Sequence, residues 1–134
     1  MDTSNTLIWI GVGLVVLLVL VTWYVIYKGR KRPGEYVYLA SRVTKGNRIF
    51  PAQVIITSTS VTMLKPQWIG KLEESLHIAH VASIKIDTNI VFSDVLIETT
   101  GGQDPIVLHG HTKSDAVKMK AVIEKYQTEY YKRN

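Results

Sequence analysis

The chain contains no cysteine in 134 residues, which excludes disulfides and thiolate metal sites at once. Positive charge is missing from its start, where residues 1–6 (MDTSNT) hold one Asp and no Lys or Arg. A cleavable signal peptide carries a positive n-region, a shorter apolar stretch and a small-residue cleavage site. None of these is found, so a retained membrane anchor is expected. Internal repeats, low-complexity tracts and any nucleophile-elbow motif are also absent. Most telling is residues 7–27, LIWIGVGLVVLLVLVTWYVIY, which contain no Lys, Arg, Asp, Glu, His, Asn or Gln.

As a helix, that run is about 30 Å long, the thickness of a bilayer's hydrocarbon core. It is apolar all round, whereas a surface helix of a soluble protein shows a polar stripe. A transmembrane helix over 7–27 is therefore predicted. Aromatic side chains stand at both ends, Trp9 at one and Trp23, Tyr24 and Tyr27 at the other, as in the headgroup belts. Gly11 and Gly13 either admit a neighbouring helix or are tolerated facing lipid; their spacing is not G-x-x-x-G. Without an ionisable residue, the span is expected to do no transport chemistry.

The formal charge of +5 is unevenly placed. Lys28, Arg30, Lys31 and Arg32 supply four positive charges just after the span, while residues 33–134 hold twelve Lys/Arg against ten Asp/Glu. A nucleic-acid binder concentrates charge on its domain, so no nucleic-acid partner is expected. The positive-inside rule places residues 1–6 outside, in a periplasm, and residues 28–134 in the cytoplasm, across a cell inner membrane. The basic cluster is read first as a topology determinant that also meets anionic lipid, and second as a dock for an acidic partner. Pro33-Gly34 ends the helix. The linker of residues 28–34 is so short that the domain is expected to lie close to the bilayer.

Residues 35–134 read as one small domain. Alternating or β-branched runs predict strands over 35–42, 52–57, 60–64, 68–78, 81–87, 90–100 and 105–109. Turns are marked at Lys45-Gly46-Asn47, Ser58-Thr59-Ser60, Lys65-Pro66-Gln67 and Gly101-Gly102. The period then changes. Ala116, Met119, Ile123, Tyr126 and Tyr130 recur at spacings of three and four, predicting an amphipathic helix over 113–131. Thr112 or Ser114 serves as its N-cap, and Thr112 with Asp115 resembles a capping box. The fold class expected is α+β: one N-terminal transmembrane helix, then a small antiparallel β-barrel or sandwich closed by a C-terminal amphipathic helix.

Three stretches carry a family resemblance: VIITSTSVTML (54–64), KLEESLHIAHVASIKID (71–87) and TGGQDPIVLHGHTKSDAVKMKAVIEKY (100–126). Together they resemble the bacterial pleckstrin-homology-like (PH-like) family over residues 35–127, and a single span joined to such a domain is a common arrangement there. The resemblance implies a binding module for proteins or lipids. Eukaryotic PH domains that bind phosphoinositides use basic residues of the first strand–strand loop; Arg42, Lys45 and Arg48 occupy the comparable place, although bacterial relatives do not generally carry that signature.

Chemistry-bearing residues are few. His109 and His111 are expected to point the same way from a strand, and His77 and His80 to approach in space. Two imidazoles do not make a zinc site, and a Ser–His–Asp set has no motif to assemble it. No metal, cofactor or catalytic residue is therefore expected, and the protein is not expected to be an enzyme. Trp68, between Lys65 and Lys71, is either an interface anchor for protein or membrane or a cover for the barrel mouth. Tyr130 and Tyr131 are read as helix packing with a partner contact as the alternative. The role expected is non-catalytic: an accessory or scaffolding subunit of a larger integral membrane complex, an energy-converting one being one class of host. The alternative is a membrane-anchored reader of anionic lipid headgroups. Contacts for lipid or partner are placed at Arg42, Lys45, Arg48 and Trp68.

Overall fold

The structure, a computed structural model, describes residues 2–134. It has two compact units, one ending at Arg30 and the other running Lys31–Asn134.

The first unit is helix α1 (Thr3–Lys28). It contains the predicted span and extends it by four residues at one end and one at the other. No residue in it is buried within the protein, and it is long and apolar enough to cross a membrane. The Asp2 carbonyl accepts from Asn5 N (2.9 Å) and opens the helix, and Gly29 N closes it on the Val25 carbonyl (3.0 Å). At the basic end the side chains support one another. The Trp23 and Tyr27 rings stack with centroids 5.9 Å apart, Lys28 Nζ donates to Tyr24 Oη (3.2 Å), and the Arg30 guanidinium lies 5.8 Å from the Tyr27 ring.

The second unit is α+β. Strands β1 (Tyr36–Leu39), β2 (Gln53–Ile56), β3 (Ser60–Pro66) and β4 (Lys71–His77) form one antiparallel sheet in that order. Strands β5 (Val81–Thr88), β6 (Phe92–Thr99) and β7 (Ile106–Thr112) form a second. Helix α2 (Lys113–Arg133) follows. Seven strands and a closing helix are what the sequence predicts, but the two sheets remain separate rather than closing into a barrel. A 3₁₀ turn over Ile78–His80 passes from one to the other, and at β1's far end Ser41 N donates to the Gly110 carbonyl (2.8 Å).

The core lies between the sheets and under α2. Val54 and Ile56 of β2, Val61 of β3, Leu76 of β4, Val95 and Ile97 of β6, and Ile106 and Leu108 of β7 meet Ala116, Met119, Ile123 and Tyr126 of α2. This is the helix stripe read from the sequence, buried because it is the only apolar face α2 can offer the open side of the sheets. Thr112 Oγ1 caps α2 by accepting from Asp115 N (3.2 Å). Tyr126 Oη donates to Glu35, binding α2 to the residue before β1 and pushing the phenol up to about 12.

Several local predictions are corrected. Residues 67–70 form the β3–β4 hairpin turn, so Trp68 and Ile69 are not in a strand; Gln67 N donates to the Gly70 carbonyl (3.2 Å), and Gly70 takes φ +80°. Pro66 does not break β3 but makes its last rung, opposite Lys71, a place where a missing N–H is tolerated. Ile90 and Val91 fall in the β5–β6 turn, closed by Asn89 N to the Phe92 carbonyl (2.8 Å), so the sixth strand starts at Phe92. Strand β1 ends at Leu39; Ala40 N still donates across to the Ala52 carbonyl (2.8 Å), and the chain then curls into its own loop.

One feature has no counterpart in the sequence reading. Gln53, Val37 and Leu64 are buried, yet none belongs to the core cluster. They lie on the outer side of the first sheet, where the segment before β1 covers them. Arg32 N donates to Gln53 Oε1 (2.9 Å). Gly34 passes so closely that a Cβ there would stand 2.8 Å from Ile55 Cγ2 and Val37 Cγ2. The basic segment is thus partly a strap of the domain, entering beside the start of β2 and turning back at Glu35 into β1.

Candidate functional site

Three connections meet at one end of the domain: the β1–β2 loop (40–52), the β3–β4 turn (67–70) and the β5–β6 turn (89–91). Two clefts show that they adjoin. The smaller, about 610 Å³, lies between the β1–β2 loop and the β3–β4 turn, and is lined by Lys45, Arg48, Phe50 and Trp68 among others. The larger, about 1090 Å³, lies between the β1–β2 loop and the β5–β6 turn, with Val43, Lys45, Ile90, Val91 and Lys113 on its walls. Lys45 borders both.

The β1–β2 loop is long but held from within. Thr44 Oγ1 donates to the Ser41 carbonyl (2.7 Å) and accepts from Asn47 Nδ2 (2.9 Å), while the buried Asn47 Oδ1 accepts from Ala52 N (2.9 Å). Gly46 takes φ +87° at the bend. The Phe50 ring meets Trp68 edge to face, with centroids 5.1 Å apart, joining this loop to the β3–β4 turn. These bonds hold Lys45 and Arg48 outward without making the loop a strand.

The predicted contact residues fall at this end but not at one point. Lys45, Arg48 and Trp68 share the smaller cleft. Arg42 stands apart, its guanidinium donating to the Ile49 carbonyl (3.4 Å). Trp68 is half-exposed, set edge to face against Phe50 at the edge of a cleft. Sequence reading missed Val43, Ile69, Ile90 and Val91. Ile69 and Ile90 are more than 90% exposed, at 92% and 93%. Their signal was available: an apolar pair beside a turn-forming Gly70 or Asn89 has no sheet face to fill. Lys45, Arg48, Lys65 and Lys113 have no carboxylate partner among the described residues; Lys71 pairs with Glu73 (2.5 Å).

The histidines are arranged differently from the prediction. Asp94 of β6 stands opposite two residues of β7, because the register passes from Ser93↔His111 to Val95↔Leu108. That bulge reverses the alternation, so His109 and His111 do not share a face. His109 is exposed, and its Nδ1 lies 3.0 Å from Asp94 Oδ2. Gly110 N donates to Asp94 Oδ1 (2.8 Å). Burial raises the Asp94 carboxyl, but the Gly110 N–H, the His109 hydrogen bond and the two imidazoles outweigh it and hold it below the ordinary value. His111 is fully buried, with no protein partner for either ring nitrogen. His77 and His80 do approach, with ring centroids 6.0 Å apart, but His77 Nδ1 accepts from Ala79 N and its ring packs on Tyr130. Tyr131 Oη donates to the Ala79 carbonyl (3.3 Å). Among the described residues, no three His, Asp or Glu side chains are grouped so as to hold a metal ion.

The chain is similar to a pleckstrin-homology protein. The solved structure is that of a DUF1696 family protein with a pleckstrin-homology domain from Shewanella loihica PV-4, 13% identical, covering 70% of this chain and 99% of that one, with a TM-score of 0.49. No family model and no curated protein matches the chain.

Proposed function

We propose that the protein is a non-catalytic, single-pass membrane protein whose PH-like domain works on the cytoplasmic face as an accessory or scaffolding part of a larger integral membrane assembly. The observation that carries this reading is α1, 26 residues long with no buried position and no Lys, Arg, His, Asp or Glu between Thr3 and Tyr27. Such a helix suits anchoring and lateral packing rather than transport. The basic flank on one side only supports an N-terminus outside and a domain inside. Extraction of the full chain in mild detergent is expected to yield a large co-purifying complex; a monodisperse monomer would sink the accessory-subunit reading. Because the chain has no cysteine, a single Cys introduced at Thr3 or at Gln103 reports sidedness cleanly. An impermeant maleimide applied from outside is expected to label the first and not the second.

A second reading is favoured by the cations at the three-loop end that lack carboxylate partners among the described residues. Lys45 and Arg48, with Arg42 elsewhere on the same loop, suit contact with anionic headgroups at roughly 1 kcal/mol per charge. The test uses full-length protein in vesicles, with Trp9→Phe and Trp23→Phe leaving Trp68 as the reporter. Acrylamide is expected to quench Trp68 less in phosphatidylglycerol-containing vesicles than in pure phosphatidylcholine. Replacing Arg42, Lys45 and Arg48 together by Ala should erase that difference; equal quenching before substitution removes the reading.

A further inference from the structure

We infer that a recess between the β2–β3 turn and the last turns of α2 is a binding site for a small zwitterion, a free α-amino acid with an apolar side chain. The inference goes beyond the partner and headgroup readings and rests on neither, because every residue it uses lies in the second unit.

The recess holds about 350 Å³ and is lined by Ser58 and Thr59 of the turn and by Tyr126, Glu129, Tyr130 and Arg133 of α2. It exists because α2 outruns the core. The buried stripe ends at Tyr126, and the helix continues to Arg133. That volume is at the small end for ligand pockets, which run from roughly 300 to 1,000 Å³ and combine aromatic walls with a few polar groups.

The walls are fixed without a ligand. Tyr126 Oη donates to Glu35, and its ring meets Tyr36 edge to face, with centroids 6.2 Å apart. Tyr130 meets both His77 and Tyr131 edge to face, at 5.6 Å in each case. The turn is held by Ile78 N, which donates to the Thr59 carbonyl (2.8 Å), and by the Thr57 hydroxyl, which engages those of Thr59 (3.3 Å) and Ser60 (3.2 Å). Such preorganisation spares a ligand the cost of ordering its site.

The polar groups, by contrast, are left free. In the run Thr57-Ser58-Thr59-Ser60, only the Ser58 hydroxyl has no hydrogen-bond partner among the described residues. Glu129 and Arg133 stand four apart in the order that favours a helix ion pair, yet neither has an ion-pair partner among the described residues. Lys120 and Glu124, in the less favourable order, do pair (3.9 Å). Two opposite charges thus line one recess unpaired. At that spacing their Cβ atoms are about 5–6 Å apart, a span that a single α-amino acid bridges. Around Glu129 the potential is negative: its carboxylate and that of Glu35 both act on the Tyr126 phenol, and the C-terminal carbonyls of α2 add to it. The ligand's ammonium goes there, against the Tyr130 ring. Its carboxylate is received by the Arg133 guanidinium, with Ser58 Oγ donating, and its side chain lies on the tyrosines.

The test is equilibrium dialysis of the full chain in detergent against radiolabelled L-leucine, which is expected to bind saturably. Two competitors each remove one charge: L-leucinamide lacks the carboxylate and N-acetyl-L-leucine lacks the ammonium. Each is expected to bind about tenfold more weakly than leucine, the loss of one charge-assisted contact. Arg133→Gln should weaken leucine about tenfold and leave leucinamide unchanged, and Glu129→Gln should weaken leucine likewise and leave N-acetyl-leucine unchanged. Both positions are exposed, so the fold tolerates the changes. Absence of saturable leucine binding overturns the inference. So does leucinamide competing as well as leucine, which would make the recess a site for amines, and so do variants that bind leucine as the parent does.

Discussion

Gly110→Ala is expected to destabilise the domain by about 2–5 kcal/mol, lowering its unfolding midpoint by about 10 °C or more. Two costs add. Gly110 has φ +75°, a left-handed conformation that costs an L-residue about 1–2 kcal/mol. A Cβ there would also overlap the Thr44 side chain, standing 2.8 Å from its Cβ and 2.9 Å from its Cγ2. Overpacking of this kind typically costs about 1–3 kcal/mol. The position cannot readily relax, because Gly110 N is held by Asp94 and its carbonyl by Ser41 N. Thr44 belongs to the β1–β2 loop, so this is where that loop is seated on β7. Thermal unfolding of Gly110→Ala, Thr44→Gly and the double variant separates the two costs. Thr44→Gly should recover the steric part in the double variant and leave the backbone part, giving a favourable coupling between the sites. A Gly110→Ala protein as stable as the parent would mean that the bulge does not need glycine.

The same position marks how far the sequence could be read. Period and composition were enough for the membrane-length helix, for seven strands and for the α2 face of Ala116, Met119, Ile123 and Tyr126, because each depends on a pattern repeated over many residues. The Thr112 cap was legible for the opposite reason: it is wholly local. Features set by a single long-range contact were not. The bulge that sends His109 outward and His111 inward requires Asp94 to face two residues of β7, and no spacing rule in either strand reveals it. Ile90 reads as the start of a strand because it adjoins the apolar run of β6, and only Asn89 bonding to Phe92 places it in a turn. The strap reads as a linker because its partner, Gln53, lies twenty-one residues away. The contact residues were found in part, since cations in a loop are conspicuous in sequence, whereas apolar residues are first assigned to a core.

His111 should make the domain less stable as pH falls below about 6.5, and His111→Leu should flatten that profile. The imidazole is fully buried and neither nitrogen has a protein partner. Burial therefore depresses its pKa, with Asp115 and Asp94 opposing the effect only in part. Above the unfolded value, near 6.5, both states hold the ring neutral and it contributes no pH dependence. Below it the unfolded chain takes up a proton that the native ring resists, so unfolding gains up to about 1.4 kcal/mol per pH unit until the depressed native value is reached. Asp94 acts in a different window. Its lowered carboxyl gives stability that is complete above its ordinary value of 3.8 and is lost as pH falls through the lower native one, so the two contributions separate along the pH axis. Leucine nearly matches imidazole in volume and has no polar atoms to leave unpaired, so near pH 8 the variant should be as stable as the parent or slightly more so. Denaturant unfolding of the detergent-solubilised chain between pH 8 and 5 decides the matter. Parallel profiles for parent and variant would mean that His111 is protonated as easily in the fold as out of it. A variant that gains on the parent as pH falls toward 5, with the difference growing only below about 6.5, is the expected result.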